Sequence, residues 1–172
     1  MINAPEFNPG MSLQMRLATL ADSDFLLKNR NSQDVIRYTS TNAPINHTSH
    51  EIWFRERLLI LDKEPILFFI SNNNVVGSTR LDLIQGSMRN YRISILLSKK
   101  FRNLGFGKKI LEMTIKHAIR ELKATKLEAE IHKKNEISIR LFSSLGFQEN
   151  QIIMSKSDFL FFSLNLFDQE IC

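Results

Sequence analysis

Apolar residues along the chain first alternate with polar ones, then repeat at helical spacing, and then alternate again. Leu13, Met15 and Leu17 are interleaved with Gln14 and Arg16, the two-residue period of a half-buried strand. Thr19-Leu-Ala-Asp22 has the form of a capping box, and Phe25, Leu26 and Leu27 follow on one helical stripe. Thr48-Ser-His-Glu51 repeats that signature ahead of Ile52, Trp53, Leu58 and Leu59, which predicts a second helix capped at Thr48. Asn42-Ala-Pro44 marks the turn between the two helices.

After Pro65 the pattern changes. Ile66-Leu-Phe-Phe-Ile70 is too short for a helix and reads as a buried strand, with Ser71 to Asn74 as a turn and Val75 to Leu83 as the hairpin partner. A second turn, Gln85 to Asn90, leads into a strand over Tyr91 to Leu97. Leu111, Ile115, Ala118, Ile119 and Leu122 then mark an amphipathic helix. Lys126 to His132 is a further strand, and Glu136 to Leu145 a helix stopped by Gly146 at its C′ position. Two closing strands are predicted around Ile152 and over Phe159 to Leu166. The order of strand, two helices, three strands, helix, strand, helix and two strands predicts an α/β fold, a mixed sheet with helices on its faces.

Composition adds limits rather than an activity. The 172 residues, 43% hydrophobic and 24% charged, suit one soluble globular domain. It is expected over residues 12–168, with an irregular leader at 1–11 and a short tail at 169–172. Net charge is +5 and the pI about 9.5, but the basic residues are scattered, which does not argue for nucleic acid. The single cysteine, Cys172, excludes an intrachain disulfide and a C-x-x-C motif. Met1 to Gly10 lacks the pattern of a secretory signal, and no apolar run approaches the roughly 20 residues of a membrane span. The cytoplasm is the expected compartment, with no membrane partner. His47 and His50 are too few for a metal site without a third ligand, and His117 reads as a surface residue.

The stretch from Ile93 to Phe147 carries the chemistry. A strand ends near Leu97 and Arg102-Asn-Leu-Gly105-Phe-Gly107 opens the long helix. Glycines let the backbone approach a ligand, and a helix start offers unpaired N–H groups to an anion, which Arg102 and Lys108 would reinforce. The same fragment also fits a plain surface turn capping a helix. It is neither a Walker loop nor the three-glycine dinucleotide fingerprint. A second motif follows the next strand: Asn135-Glu-Ile-Ser138, then Phe142 and Leu145-Gly146-Phe147.

Together the paired motifs resemble the GNAT superfamily of acetyl-CoA-dependent N-acetyltransferases, over roughly residues 12 to 166. The resemblance implies a mostly antiparallel sheet of about seven strands whose fourth and fifth strands splay apart around the pantetheine arm of acetyl-CoA, the acetyl donor. It implies that Ile95, Leu96 and Leu97 line that arm, with backbone groups of Ile95 and Leu97 pairing with it. The N–H groups of Asn103, Leu104, Gly105, Phe106, Gly107 and Lys108, with Arg102, would hold the pyrophosphate. Asn135, Ser138 and Phe142 would complete the cofactor site. Arg16 to Thr19, Asp22 to Leu27, Arg30-Asn31, Trp53-Phe54 and Val76 to Asp82 are similar to the branch that acetylates 4-amino groups of nucleotide-linked sugars, as in pseudaminic acid biosynthesis. A protein N-terminus or another small amine is the alternative acceptor, in a monomer or homodimer.

Acetyl transfer needs a neutral amine, attack on the thioester and a base for the ammonium proton. Resemblance places that base at Glu130, five residues before the motif asparagine. Alternation puts Glu128, Glu130 and His132 on one strand face and Leu127, Ala129 and Ile131 on the other, so Glu130 faces either the cleft or solvent. The family usually has a tyrosine seven residues after that asparagine to protonate the leaving thiolate. Phe142 stands there and cannot donate, which also admits an inactive acyl-CoA-binding module. Arg80, Asp82 and Ser94 are further candidates for the acceptor side. Lys99, Lys100, Arg102, Lys108 and Lys109 form a basic cluster that the phosphates of coenzyme A explain more simply than nucleic acid does.

Overall fold

The computed structural model describes residues 12–150 and 158–167. A seven-stranded mixed sheet carries helices on both faces. The strands are β1 (Gln14–Leu17), β2 (Ile66–Ser71), β3 (Asn74–Leu83), β4 (Asn90–Leu97), β5 (Lys126–His132), β6 (Gln148–Glu149) and β7 (Phe159–Asn165). The helices are α1 (Ser23–Arg30), α2 (Gln33–Ile36), α3 (His47–Leu58), α4 (Phe106–Arg120) and α5 (Glu136–Ser143). Spatial order is β1-β2-β3-β4-β5-β7-β6. Every neighbouring pair is antiparallel except β4–β5, which is parallel.

The exception positions the site. Strands β4 and β5 pair only at Asn90–Lys126, Tyr91–Leu127 and Arg92–Glu128. Beyond Arg92 the two diverge, so one edge of Ile93 to Leu97 keeps its backbone groups away from the ladder while the other pairs with β3 through Leu97–Gly77. A sheet interior that opens in this way leaves backbone donors and acceptors for a ligand to satisfy.

Strand alternation sorts the side chains onto two faces. One face bears Leu81, Tyr91, Ile93, Leu127, Ala129 and Ile131, which pack with Leu111, Ile115 and Ala118 of α4 and Phe142 of α5. Helix α4 buries Phe106, Ile110, Leu111, Thr114, Ile115 and Ala118 at spacings of three and four, and the buried Thr114 and Thr79 hydroxyls hydrogen-bond each other at 2.9 Å. The opposite face bears Ile66 and Phe68, covered by Phe54 and Trp53 of α3 and Phe25 and Leu26 of α1. Where β3 to β5 continue that face it turns polar, with Ser78, Arg80, Asp82, Ser94 and Glu130.

Local chemistry accounts for several boundaries. The Asp22 carboxylate accepts from the Thr19 N–H at 2.7 Å and hydroxyl at 2.9 Å and takes both Arg16 nitrogens, at 2.7 and 2.8 Å. Burial pushes the Asp22 carboxyl up, but these donors outweigh it and hold it below the usual carboxylate range. The second helix starts differently from expectation. Its cap is Asn46, whose side chain accepts from the Ser49 N–H at 3.3 Å, and Thr48 lies inside the first turn. Helix α5 ends in a Schellman arrangement, with Gly146 at φ 87°, Phe147 N–H on Phe142 O and Gly146 N–H on Ser143 O. Helix α2 was not predicted. The strand expected around Ile152 lies outside the described residues; among the described residues β7 pairs with the two-residue β6 and with β5. His117 is half-buried rather than superficial, and burial lowers its pKa.

Candidate active site

A cavity of about 870 Å³ occupies the gap between β4 and β5 and passes from one face of the sheet to the other. Its walls on the α4/α5 side are Ile93, Ile95, Leu97, Ala129, Ile131, Leu141 and Phe142; on the α1–α3 side they include Arg30, Tyr38, Trp53, Arg80, Ser94, Glu130 and His132. The first set is apolar, the second polar and aromatic. A long, thin thioester arm and a charged acceptor have matching surroundings in one continuous space.

Most of the residues singled out in the sequence meet here. Glu130, Ile95, Leu96, Leu97, Arg102, Asn103, Asn135, Ser138 and Phe142 all line the cavity. The Asn135 side chain caps α5, accepting from the Ser138 N–H at 3.2 Å, which leaves its amide N–H groups for other partners. Phe142 is 3% exposed and packs edge-to-face on Phe147 with centroids 5.0 Å apart. Leu104, Gly105, Phe106, Gly107 and Lys108 do not line the cavity with their side chains. Phe106 is buried in the core beneath α4, against Phe101, so this segment has its backbone to offer. Asn103 at φ 61° and Gly105 at φ 76° are both left-handed, and Gly105 caps α4 from that conformation. Consecutive turns of this kind aim N–H groups to one side, as an anion-binding loop requires.

Charges around the cavity are unequally partnered. Arg102 donates to Asp34 of α2 at 2.9 Å and to Leu97 O at 3.2 Å, and Lys99 lies 3.8 Å from the same carboxylate. Lys99 and the Arg102 hydrogen bond hold Asp34 below the usual carboxylate range. Glu130 is 3.7 Å from Arg92, an ion pair too long for a hydrogen bond. Arg80 gives its Nε to Asp82 at 2.8 Å, while Arg57 pairs with both Asp82 and Glu64. Arg80 also lies over the Trp53 ring, 5.5 Å from its centroid. Arg30 differs: its Nη1 is buried with no hydrogen-bond partner among the described residues. Burial first, and Arg80 second, pull its pKa below the ordinary arginine value.

Several cavity residues carried no sequence-level signal. Tyr38 and His132 face each other with ring centroids 5.8 Å apart, and His132 Nδ1 accepts from the Lys134 N–H at 3.1 Å, which leaves a proton on Nε2. Tyr38 is brought there by Asn31, whose amide pairs reciprocally with Ile45 N and O at 2.8 Å and closes the intervening loop. No periodicity reports a contact of that range.

A parallel strand pair that splays apart, joined through a glycine-containing loop that opens a helix, is the arrangement that the acetyltransferase resemblance implies. The chain belongs to the acetyltransferase (GNAT) domain family, whose model matches residues 12–148. Its fold is shared with an N-acetyltransferase from Staphylococcus aureus Mu50, at a TM-score of 0.73 and 23% identity over 90% of this chain and 98% of that one. Spermidine N-acetyltransferase from Vibrio cholerae, in complex with CoA and spermine, aligns at a TM-score of 0.76 and 15% identity over 89% and 95%. Ribosomal-protein-alanine N-acetyltransferase from Brucella melitensis aligns at 0.71 and 26% over 89% and 99%. No curated protein matches the chain in sequence. The protein is thus an acetyl-CoA-dependent N-acetyltransferase of GNAT type. No helix among the described residues is long and apolar enough to cross a membrane.

Proposed function

We propose that the protein transfers acetyl from acetyl-CoA directly to the 4-amino group of a nucleotide-linked sugar. The observation that supports this acceptor is the charge of the cavity. In this reading Lys99 and Arg102 serve the donor's phosphates, and on the acceptor side Arg30, Arg37 and Arg80 line it against Asp34 and Glu130. A polyamine would meet net repulsion there, and an anionic nucleotide would meet attraction.

In this reading the pantetheine arm lies in the β4–β5 gap and pairs with backbone groups of Ile95 and Leu97, with Leu96 beside it. The pyrophosphate sits on the N–H groups of residues 103–108, where Arg102 exchanges Asp34 for phosphate oxygen. Asn135, Ser138 and Phe142 close the arm's other side. The acceptor amine enters from the α1–α3 side. Glu130 takes the ammonium proton, directly or through one water, and the neutral nitrogen attacks the thioester carbonyl. Phe142 supplies no proton to the departing sulfur; the thiol's reference pKa of ~8.5 makes the thiolate an acceptable leaving group near neutral pH. The protein works as a monomer or homodimer.

The test is to incubate the protein with acetyl-CoA and a panel of amines, including UDP-4-amino sugars, spermine and an N-terminal alanine peptide, and to follow free thiol. The expected result is thiol release that depends on the amino sugar and falls about 100-fold or more in Glu130→Gln, with acetyl-CoA affinity unchanged. Release with the peptide or spermine alone would move the acceptor to that class.

A further inference from the structure

Arg30 is the feature of the cavity that the reaction leaves unused. It ends α1, lines the acceptor half of the cavity, and keeps a buried Nη1 without a partner among the described residues. Arg80, on strand β3, lines the same cavity and uses its Nε for Asp82. The Arg80 charge disfavours that of Arg30, and a buried Arg30 donor has no partner among the described residues, an unfavourable arrangement in the free protein. An oxyanion placed between them would neutralise the repulsion and supply acceptors in the planar geometry a guanidinium matches. Among the described residues no carboxylate pairs with Arg30, and those of this region have other cationic partners. Asp82 is shared with Arg57, Asp34 with Arg102 and Lys99, and Glu130 with Arg92.

We infer that Arg30 and Arg80 form a subsite for an oxyanion group, phosphate or carboxylate, carried by the acceptor, with Trp53 as its aromatic wall. The inference rests on the assignment of this half of the cavity to the acceptor, and it holds for an anionic acceptor that is not a sugar nucleotide. Trp53 is the single tryptophan of the chain, so its fluorescence reports on the Arg80 side of the subsite.

The experiment uses protein saturated with coenzyme A, which keeps the donor's phosphate site filled. UMP, glutarate and uridine are titrated by calorimetry and by Trp53 fluorescence. UMP or glutarate should bind saturably with a fluorescence change, and uridine should bind at least tenfold more weakly. Preference for UMP identifies phosphate; preference for glutarate identifies carboxylate. Affinity should fall roughly ten- to a hundredfold in Arg30→Met, the loss of charge-assisted hydrogen bonds, and comparably in Arg80→Met. Arg30→Met should melt no lower than wild type without ligand, because it removes an unpaired buried donor. Equal binding of uridine and UMP, binding without a Trp53 response, no binding of either anion, or unchanged affinity in both variants would each overturn the subsite. Anion binding that depends on Arg30, together with silence of amino-sugar acetylation, would keep the subsite and discard the sugar acceptor.

Discussion

Gly77 couples the fold to the donor site, and its replacement by alanine is a quantitative test of that coupling. A Cβ built on Gly77 would lie 2.5 Å from Leu96 O, 3.0 Å from Leu97 Cδ2 and 3.3 Å from Leu97 Cα. Ordinary contact begins near 3.4 Å, so β4 must retreat from β3 by about 0.9 Å at the carbonyl. The obstacle is backbone in a hydrogen-bonded ladder, with Gly77 registered on Leu97, and no rotamer change relieves it. Overpacking of this kind costs about 1–3 kcal/mol. At roughly 2–4 °C per kcal/mol for a chain of this size, the melting temperature should fall by about 2–12 °C. The same displacement moves Leu96 and Leu97 into the β4–β5 gap, the site proposed above for the pantetheine arm. Acetyl-CoA affinity measured by calorimetry well below the melting range should therefore drop about tenfold, equivalent to about 1.4 kcal/mol. A Gly77→Ala protein with unchanged melting temperature and unchanged affinity would refute the close approach. Lost stability with full affinity would show that this end of β4 does not hold the donor.

Two further outcomes follow from burial. Burial lowers the pKa of His50, offset in part by its hydrogen bond to Ser23 O at 3.1 Å, and burial likewise lowers that of His117. Both fold in the neutral form, so below about pH 6.5 the unfolded chain takes up protons that the native state does not, and stability falls as pH falls. Thermal melts between pH 7.5 and 5.5 should show this slope, and it should flatten in His50→Gln combined with His117→Gln; an unaltered slope would reject the assignment. Phe142→Tyr places a hydroxyl on a ring at the cavity wall and should raise kcat by up to about tenfold, a gain that is lost as pH rises through the tyrosine reference pKa of about 10. An unchanged pH–rate profile would show that the hydroxyl does not reach the sulfur.

Sequence pattern carried the long elements because their causes are local. Lys126 to His132 alternates so cleanly that the predicted and observed strands coincide, and the stripe from Leu111 to Ala118 fixed the buried face of α4. The left-handed Gly146 that stops α5 was legible for the same reason. Short-range competition misled at α3: Thr48 and Glu51 have the right spacing for a cap, but Asn46 stands two residues earlier and takes the role. Helix α2, four residues long, is too short to show a period. The apolar half of the cavity was visible in part, because Ile95 to Leu97 with Arg102 and Asn103, and Asn135 with Ser138 and Phe142, each fall within a short stretch of sequence. The acceptor half was legible only as separate candidates, Arg80, Ser94 and Glu130 on strands and Arg30 and Trp53 by resemblance, because five or more segments meet there through tertiary packing. Tyr38 carried no signal at all.

The central claim is that acetyl-CoA occupies the gap where β4 and β5 part, and amide hydrogen exchange of the wild-type protein with and without acetyl-CoA tests it most directly. The structure predicts that the largest gain in protection of fast, locally exchanging amides falls on the backbone of residues 94–97 and 103–108, while Tyr91 and Arg92, already paired with β5, change only with global stability. No gain in these two segments at saturating acetyl-CoA would contradict the account.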